Sequence, residues 1–360
     1  MKKNFLFPLL ISGCLTIGFQ HVLLAQNNSK PERNEPETAL DKGTEEINNG
    51  NIDAAIDFYK IAVSENQSDT TLNALGYALT LKEDFDHALE VLNKSVELYP
   101  NSATSFSYRG IMYRKQGNFD AAIADFSQAI FLAPKETVYY INRQECYMNK
   151  SEFHKVVDDC SKAIAIDPKI QRLYRNRATA YFFMAKFDET IADATQAVVL
   201  DPNDVQSYTL RAGANVTKEQ PDYAAAVSDF TKIIEIDPRE AESYISRGAI
   251  YAMNEEFTNA ISDYSKAIEL TESNNANYLS ERGKVYVLMK DFESGLNDLN
   301  RAIILDPTNG EYYRNRGRAH HYAQQHQSAI DDYTKAIELA PDDVKAQEYL
   351  AEAKEKLGDS

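Results

Sequence analysis

The sequence predicts an all-α protein, a solenoid of stacked antiparallel helix pairs that ends in a single capping helix. Three observations support this fold class. Prolines recur at a near-constant interval, small residues recur at the same places within each interval, and aromatic residues recur at four other places. The chain has 360 residues with 22 Tyr and 16 Phe, which is ample material for the seams between many short helices.

The repeat interval is set by prolines, which cannot continue a helix and so end each unit. They stand at Pro100, Pro134, Pro168, Pro202, Pro238, Pro307 and Pro341. The successive intervals are 34, 34, 34, 36, 69 and 34 residues, and Glu272 stands where a proline would divide the longest one. A chain of similar units is therefore expected rather than one large core.

Within a unit numbered so that the proline is position 32, positions 8, 20 and 27 are mostly small. Position 8 holds Gly76, Gly110, Ala178, Ala212, Gly248, Gly283 and Gly317. Positions 4, 11, 17 and 24 are mostly aromatic, as in Phe106, Tyr113, Phe119 and Phe126. Small residues allow two helix axes to approach to about 8–10 Å, and the aromatic residues fill the seam with the next unit.

This pattern resembles the tetratricopeptide repeat family, over about nine units between residues 36 and 342. The resemblance implies a right-handed superhelix whose first helices line a concave groove through positions 2, 5, 6, 9 and 12. The first unit departs from the pattern with Lys42 and Asn48 at packing positions. The sixth carries two extra residues within "TKEQPDY" (217–223), which predicts a longer turn. Residues 343–360 are predicted to form a capping helix with a polar face.

Position 7, where the family usually has Leu, is an arginine in seven successive units, and position 23 is an aspartate in the same units. These residues are Arg109 and Asp125, Arg143 and Asp159, Arg177 and Asp193, Arg211 and Asp229, Arg247 and Asp263, Arg282 and Asp298, and Arg316 and Asp332. In a helix hairpin that turns near position 15, the two positions lie at the same height. We predict structural ion pairs within each unit, in preference to a ladder of ligand-binding arginines.

The N-terminus "MKKNFLFPLLISGCLTIGFQHVLLAQNN" resembles a secretory signal peptide, with two lysines before an apolar stretch and Ala25 where cleavage is expected. Two alternatives stay open, a lipoprotein anchored through Cys14 of "ISGC" and an uncleaved anchor. The domain prediction is a signal peptide over 1–25, a flexible linker over 26–35, the solenoid over 36–342 and the capping helix over 343–360. The expected location is exported, periplasmic or extracellular.

The chain carries a formal net charge of −17 and no Lys/Arg-rich run. Such acidity disfavours binding to nucleic acid and to anionic lipid surfaces, and no membrane span is expected after signal cleavage. No nucleophile elbow, P-loop, CxxC or HExxH motif occurs. We therefore predict a protein that is not an enzyme and has no cofactor or metal site.

The cysteines and the histidines each have a chemical and a structural interpretation. Cys146 and Cys160 stand at positions 10 and 24. Their offset along the two helices makes the Cα–Cα distance too long for an unstrained disulfide, which favours buried free thiols. His320 and His326 occupy packing positions, and their spacing with His321 is not that of a helical ligand pair. A disulfide and a metal site are the respective alternatives.

The resemblance places a partner-binding site in the groove. The candidate residues are Ile141, Asn142, Glu145, Arg172, Arg175, Asn176, Thr179, Arg314, Asn315 and Arg318. Asparagines at position 6 hold a peptide backbone in some relatives, and a capping or solvated role is the alternative. The four arginines form two basic spots in an acidic protein, which favours an acidic or carboxylate-bearing partner segment.

The functional prediction is a non-catalytic scaffold or adaptor that holds a protein or peptide segment in an exported compartment. Two other functions remain open. One is an architectural subunit of a cell-envelope complex bound through the outer surface. The other is an enzyme acting on envelope glycans, which would need clustered acid and base residues in the groove.

Overall fold

The computed structural model describes residues 38–272 and 275–358, and these residues form nineteen helices and no strand. The helices are α1 (Ala39–Asn48), α2 (Ile52–Glu65), α3 (Asp69–Leu81), α4 (Phe85–Leu98), α5 (Ala103–Lys115), α6 (Phe119–Leu132), α7 (Thr137–Asn149), α8 (Phe153–Ile166), α9 (Gln171–Phe183), α10 (Phe187–Leu200), α11 (Val205–Thr217), α12 (Tyr223–Ile236), α13 (Ala241–Met253), α14 (Phe257–Leu270), α15 (Ala276–Leu288), α16 (Phe292–Leu305), α17 (Gly310–Tyr322), α18 (His326–Leu339) and α19 (Val344–Gly358). The predicted all-α solenoid is confirmed. The expected signal peptide and linker lie outside the described residues.

The described part of the chain divides into two compact units. Residues 38–202 hold α1–α10, which form five helix pairs. Residues 203–358 hold α11–α18, which form four pairs, followed by the single helix α19. Within each unit, successive pairs pack side by side through the second helix of one pair and the first helix of the next.

Eight of the nine hairpin turns depend on one residue at position 15 that adopts a left-handed backbone conformation. Gly117 has φ +83°, but most of these positions hold other residues, such as Ala185 with φ +57°. The turn satisfies the free end of the first helix, since the Asn118 N–H donates to the Tyr113 carbonyl at 2.8 Å. The sixth pair differs because residues 218–222 connect its helices, and this longer turn is the predicted consequence of the insertion.

The two helices of a pair approach closely where a glycine at position 8 faces a large residue at position 24. A Cβ on Gly110 would lie 2.8 Å from the Phe126 ring, and one on Gly317 would lie 2.7 Å from the Tyr333 ring. Even the first, degenerate pair keeps this contact, because a Cβ on Gly43 would lie 2.5 Å from Tyr59. Close approach is therefore the reason for the small residue.

The fourth pair reverses this arrangement. Gln144 occupies position 8 and Cys160 occupies position 24, so the larger side chain stands on the first helix. Gln144 is 0% exposed, and neither its Oε1 nor its Nε2 has a hydrogen-bond partner. Both cysteines of this pair, Cys146 and Cys160, are buried free thiols, which confirms the sequence prediction. The fourth pair thus carries an unsatisfied buried amide, which is costly in a protein interior.

Candidate functional site

The arginines at position 7 form two-pronged ion pairs with the aspartates at position 23 in all seven predicted units. In each pair Nε and Nη2 of the arginine donate to the carboxylate, at 2.6–3.2 Å. The aspartates are buried, and the arginine side chains are 14–24% exposed. The hydrogen bonds that Arg247 donates to Asp263 raise the pKa of Arg247 above its ordinary value. These arginines are thus engaged by aspartates within the fold, as expected of structural ion pairs rather than of a ladder of ligand-binding arginines.

A further bond joins six of these arginines to the preceding helix pair, and it was not anticipated from the sequence. Nη1 of Arg143 donates to Oγ of Ser127 at 2.8 Å, and Nη1 of Arg247 donates to Oγ1 of Thr231 at 3.0 Å. The acceptors stand at position 25, which is Asn, Ser or Thr in these units. The recurrence of small polar residues at position 25 is the sequence pattern from which this bond could have been predicted. The arginine therefore links two neighbouring pairs as well as two helices.

The remaining surface of interest is the first-helix face, which we define as positions 2, 5, 6, 9 and 12 of the first helix of each pair. Two of its predicted binding residues are not accessible. Ile141 packs into the core shared by α7, α8 and α9, and Asn142 is 3% exposed with Nδ2 donating to the Val138 carbonyl at 3.0 Å. In α7 the side chains at positions 5 and 6 are therefore buried by the packing of helices. Neither residue can contact a partner in this structure.

Glu145 lies on the same face and is also engaged, because it forms an ion pair with Arg114 of the preceding pair. Burial is the main cause that lowers the pKa of Arg114, and the charge of Arg172 contributes to the same direction. The Arg114 and Glu145 side chains are about a quarter exposed. This contact therefore lies at the rim of the face and connects α5 to α7.

The first-helix face of α9 combines two arginines with smaller polar groups. Arg172, Arg175 and Asn176 are half-buried, and the Thr179 hydroxyl donates to the Arg175 carbonyl at 2.9 Å. Burial first, and then the charge of Arg175, lower the pKa of Arg172. Arg172 forms no ion pair or hydrogen bond with any residue that the structure describes. A half-buried guanidinium without a counter-ion is a place where an anionic group would be stabilised.

The second predicted basic spot, on α17, is occupied by the chain itself. Arg314 pairs with Asp343, which precedes α19, and with Glu311 at 3.2 Å. Arg318 lies between the rings of Tyr322 and Tyr349, at 5.9 and 5.7 Å from their centroids. These two arginines are therefore covered by the C-terminal helix rather than open to a partner.

Asn315 is likewise unavailable. It is 4% exposed, and its Nδ2 donates to Oγ of Ser280 in the preceding pair at 3.2 Å. Asn315 thus bridges two neighbouring first helices. Burial prevents Asn142 and Asn315 from holding a peptide backbone, as was predicted for asparagines at position 6. Of the three asparagines at this position, Asn176 is half-buried and stays accessible.

The histidines at the end of α17 and at the start of α18 take part in packing. His321 and His326 have ring centroids 5.4 Å apart, and His321 Nε2 lies 3.6 Å from Glu352 of α19. His320 Nδ1 lies 2.6 Å from the Gln325 side-chain oxygen. Within residues 38–272 and 275–358, no group of three or more His, Cys, Asp or Glu side chains has the arrangement of a metal site.

Comparison with known proteins identifies the repeated unit. Models of the tetratricopeptide repeat match residues 40–103, 103–136, 241–274 and 310–343. The chain contains tetratricopeptide repeats. All three of these family models describe the same repeat. Tetratricopeptide repeats act as scaffolds for protein–protein interaction.

Individual relatives agree with the fold. The chain is 30% identical over 106 residues, or 29% of its length, to the small glutamine-rich tetratricopeptide repeat-containing protein 2 of Mycosarcoma maydis, and the match spans 30% of that protein. Two solved structures superpose over more of the chain. The C-terminal part of a tetratricopeptide repeat protein from Cytophaga hutchinsonii covers 77% of it and is itself 99% covered, with TM-score 0.54 and 18% identity. A tetratricopeptide repeat protein from Parabacteroides merdae covers 70% and is 98% covered, with TM-score 0.50 and 14% identity.

None of the helices in the described ranges is both long and apolar enough to cross a bilayer.

Proposed function

We propose that this protein is a non-catalytic interaction scaffold that binds a segment of another protein on the first-helix face of α9. The observation that carries the proposal is Arg172, a half-buried arginine without an ion-pair partner among the described residues. Arg114 and Arg314, also on first helices, each pair with a carboxylate. A partner carboxylate would supply the missing charge, and Asn176 and Thr179 offer polar contacts beside it.

The test is binding of a partner captured from an envelope extract, measured again with purified components. Arg172→Glu reverses the charge on α9, and Lys162→Glu makes the same change on an exposed position of the second helix α8. We expect Arg172→Glu to weaken binding at least about tenfold and Lys162→Glu to leave it unchanged. Equal binding by the two variants would place the partner on another surface. Unchanged circular dichroism of both variants serves as the folding control.

The architectural alternative is favoured by a specific observation on the second helices. Phe131 of α6 is 78% exposed and Val199 of α10 is 67% exposed, and both stand at position 29 with Ala165 between them on α8. Large apolar side chains so exposed are typical of contact surfaces. Phe131→Ser would abolish partner binding if this surface, rather than α9, were the site.

Export is part of the proposal and rests on the N-terminal sequence alone. The combination of Lys2, Lys3, the apolar stretch and Ala25 supports a cleaved signal. Fractionation of cells that express the full chain should recover a shortened protein outside the cytoplasm, and deletion of residues 2–25 should retain it inside. A mature N-terminus at Cys14 bearing lipid would instead support the lipoprotein alternative.

A further inference from the structure

The C-terminal segment 343–358 contacts the first-helix face of α17 through three side chains. Asp343, which directly precedes α19, pairs with Arg314 at position 5. The Tyr349 ring lies 5.7 Å from the Arg318 guanidinium at position 9, and these contacts run along one side of α17. The C-terminal segment therefore follows the same positions that form the proposed binding face on α9.

The third contact continues this order along the helix. Glu352 of α19 lies 3.6 Å from Nε2 of His321, at position 12. The order on α19 is thus acidic, aromatic and acidic, and it faces two arginines and a histidine on α17. Charge and ring complementarity of this kind is what selects a partner segment for a basic surface.

Asp343 has a second role that couples this contact to the start of α19. One carboxylate oxygen accepts the backbone N–H of Ala346 at 3.1 Å, while the other faces Arg314. The carboxylate therefore caps the helix and holds it to α17 at once. Removal of the segment from the face would break the Arg314–Asp343 ion pair and leave Arg314 with Glu311 alone.

Most of the packing that holds α19 is with α18, where Ala353 and Tyr349 lie in one cluster with Tyr333. Only Ala346 and Ala353 are buried among its residues, whereas α17 buries five. Val344 is 61% exposed and the Glu352 side chain is 55% exposed. Terminal elements with few buried contacts are the ones that open most easily without unfolding the rest.

We propose that the first-helix face of α17 is a second binding surface, specific for an acidic helical segment with an aromatic residue, and that α19 is the internal occupant that must leave before a partner protein binds. A partner segment would reproduce the spacing of Asp343, Tyr349 and Glu352. Its apparent affinity is reduced by the fraction of molecules in which α19 is docked. This inference does not depend on α9, so its failure leaves the proposed function intact.

The test uses a labelled peptide with the sequence of residues 343–358, "DVKAQEYLAEAKEKLG", and the full chain. Ala353 is 0% exposed and lies in a cluster with Ala329 and Tyr333, so Ala353→Glu should displace α19. We expect this variant to bind the peptide at least about tenfold more tightly than the wild-type chain does, as measured by fluorescence anisotropy. Hydrogen exchange should show the amides of residues 344–358 exposed while those of α17 and α18 stay protected.

Specificity is tested by a second charge change in the Ala353→Glu background. Arg318→Glu should abolish peptide binding, and Lys162→Glu should not change it. If Ala353→Glu also opens α17, the comparison is made with Tyr349→Ala, which removes a ring without placing a charge in the core. The proposal is overturned if the displaced chain binds the peptide no better than the wild type, or if Arg318→Glu has no effect.

Discussion

The ion pair between Arg247 and Asp263 allows a quantitative test of what the charged positions contribute. Nε and Nη2 of Arg247 each donate to the carboxylate at 2.8 Å, and the Asp263 side chain is 8% exposed. Asp263→Ala removes both bonds and leaves a guanidinium whose side chain is only 16% exposed. Breaking a buried pair from one side costs about 3–5 kcal/mol, because an uncompensated charge stays buried.

The structure places the expected loss at the lower end of that range. Arg247 keeps its bond to Thr231, and its guanidinium remains near the rings of Tyr244 and Tyr251 at 5.8 and 6.0 Å. We therefore expect Asp263→Ala to lower the local free energy of unfolding by about 3 kcal/mol. Native-state hydrogen exchange is the suitable assay because a repeat protein need not unfold in one step. The amides of α13 and α14 should exchange about a hundredfold faster.

The chain supplies its own control for this prediction. The second unit has Leu75 and Val91 at positions 7 and 23 and is still a helix pair. Arg247→Leu combined with Asp263→Val should therefore recover most of the loss, since a well-packed apolar pair replaces a buried ion pair at little cost. A double variant as unstable as Asp263→Ala would show that the lost bonds, rather than the stranded charge, set the cost.

A surface pair gives the matched comparison. Lys60 and Asp57 lie 3.9 Å apart with side chains that are 62% and 80% exposed. Asp57→Ala should change stability by less than about 0.5 kcal/mol. The reasoning is refuted if Asp263→Ala leaves the exchange of α13 and α14 at the wild-type rate.

Three further predictions concern the fourth pair and the hairpin turns. Burial raises the pKa of Cys146 to about 11 and that of Cys160 as well, so at pH 8 both stay protonated thiols and alkylation mapped by mass spectrometry should label them only in denaturant. Gln144→Met keeps the volume and removes two unsatisfied polar groups, which should stabilise the chain by about 1–2 kcal/mol in urea unfolding. Gly117→Ala should lower stability by about 1 kcal/mol because its φ is +83°, whereas Ala185→Gly should be neutral or stabilising.

Each of these has a control within the same molecule. Gln116 is exposed at the end of α5, so Gln116→Met should leave the urea midpoint unchanged. A loss of stability in Gln144→Met would mean that the amide has polar partners in solution. Labelling of either native thiol at the denatured rate would contradict its burial, and a tolerated Gly117→Ala would contradict the strain argument.

The repeated elements were predictable because their causes are local. A proline that cannot continue a helix, a small residue that permits close approach and a charge pair at matched heights all act within about 34 residues, and each recurs. The position of Arg247 opposite Asp263 follows from the hairpin alone. The bond from Arg247 to Thr231 required the neighbouring pair, although a small polar residue at position 25 accompanies it in the sequence.

The candidate site was less predictable because accessibility is decided between units. Asn142, Asn176 and Asn315 all stand at position 6 of a first helix. Packing nevertheless buries Asn142 and Asn315. The sequence predicts an exposed basic spot at Arg314 and Arg318. In the structure the C-terminal segment covers both, through Asp343 and Tyr349. The chain thus encodes its helix pairs through short-range patterns, while only the packing of one pair on the next decides which charges remain exposed for a partner, since burial is a property of neighbouring surfaces.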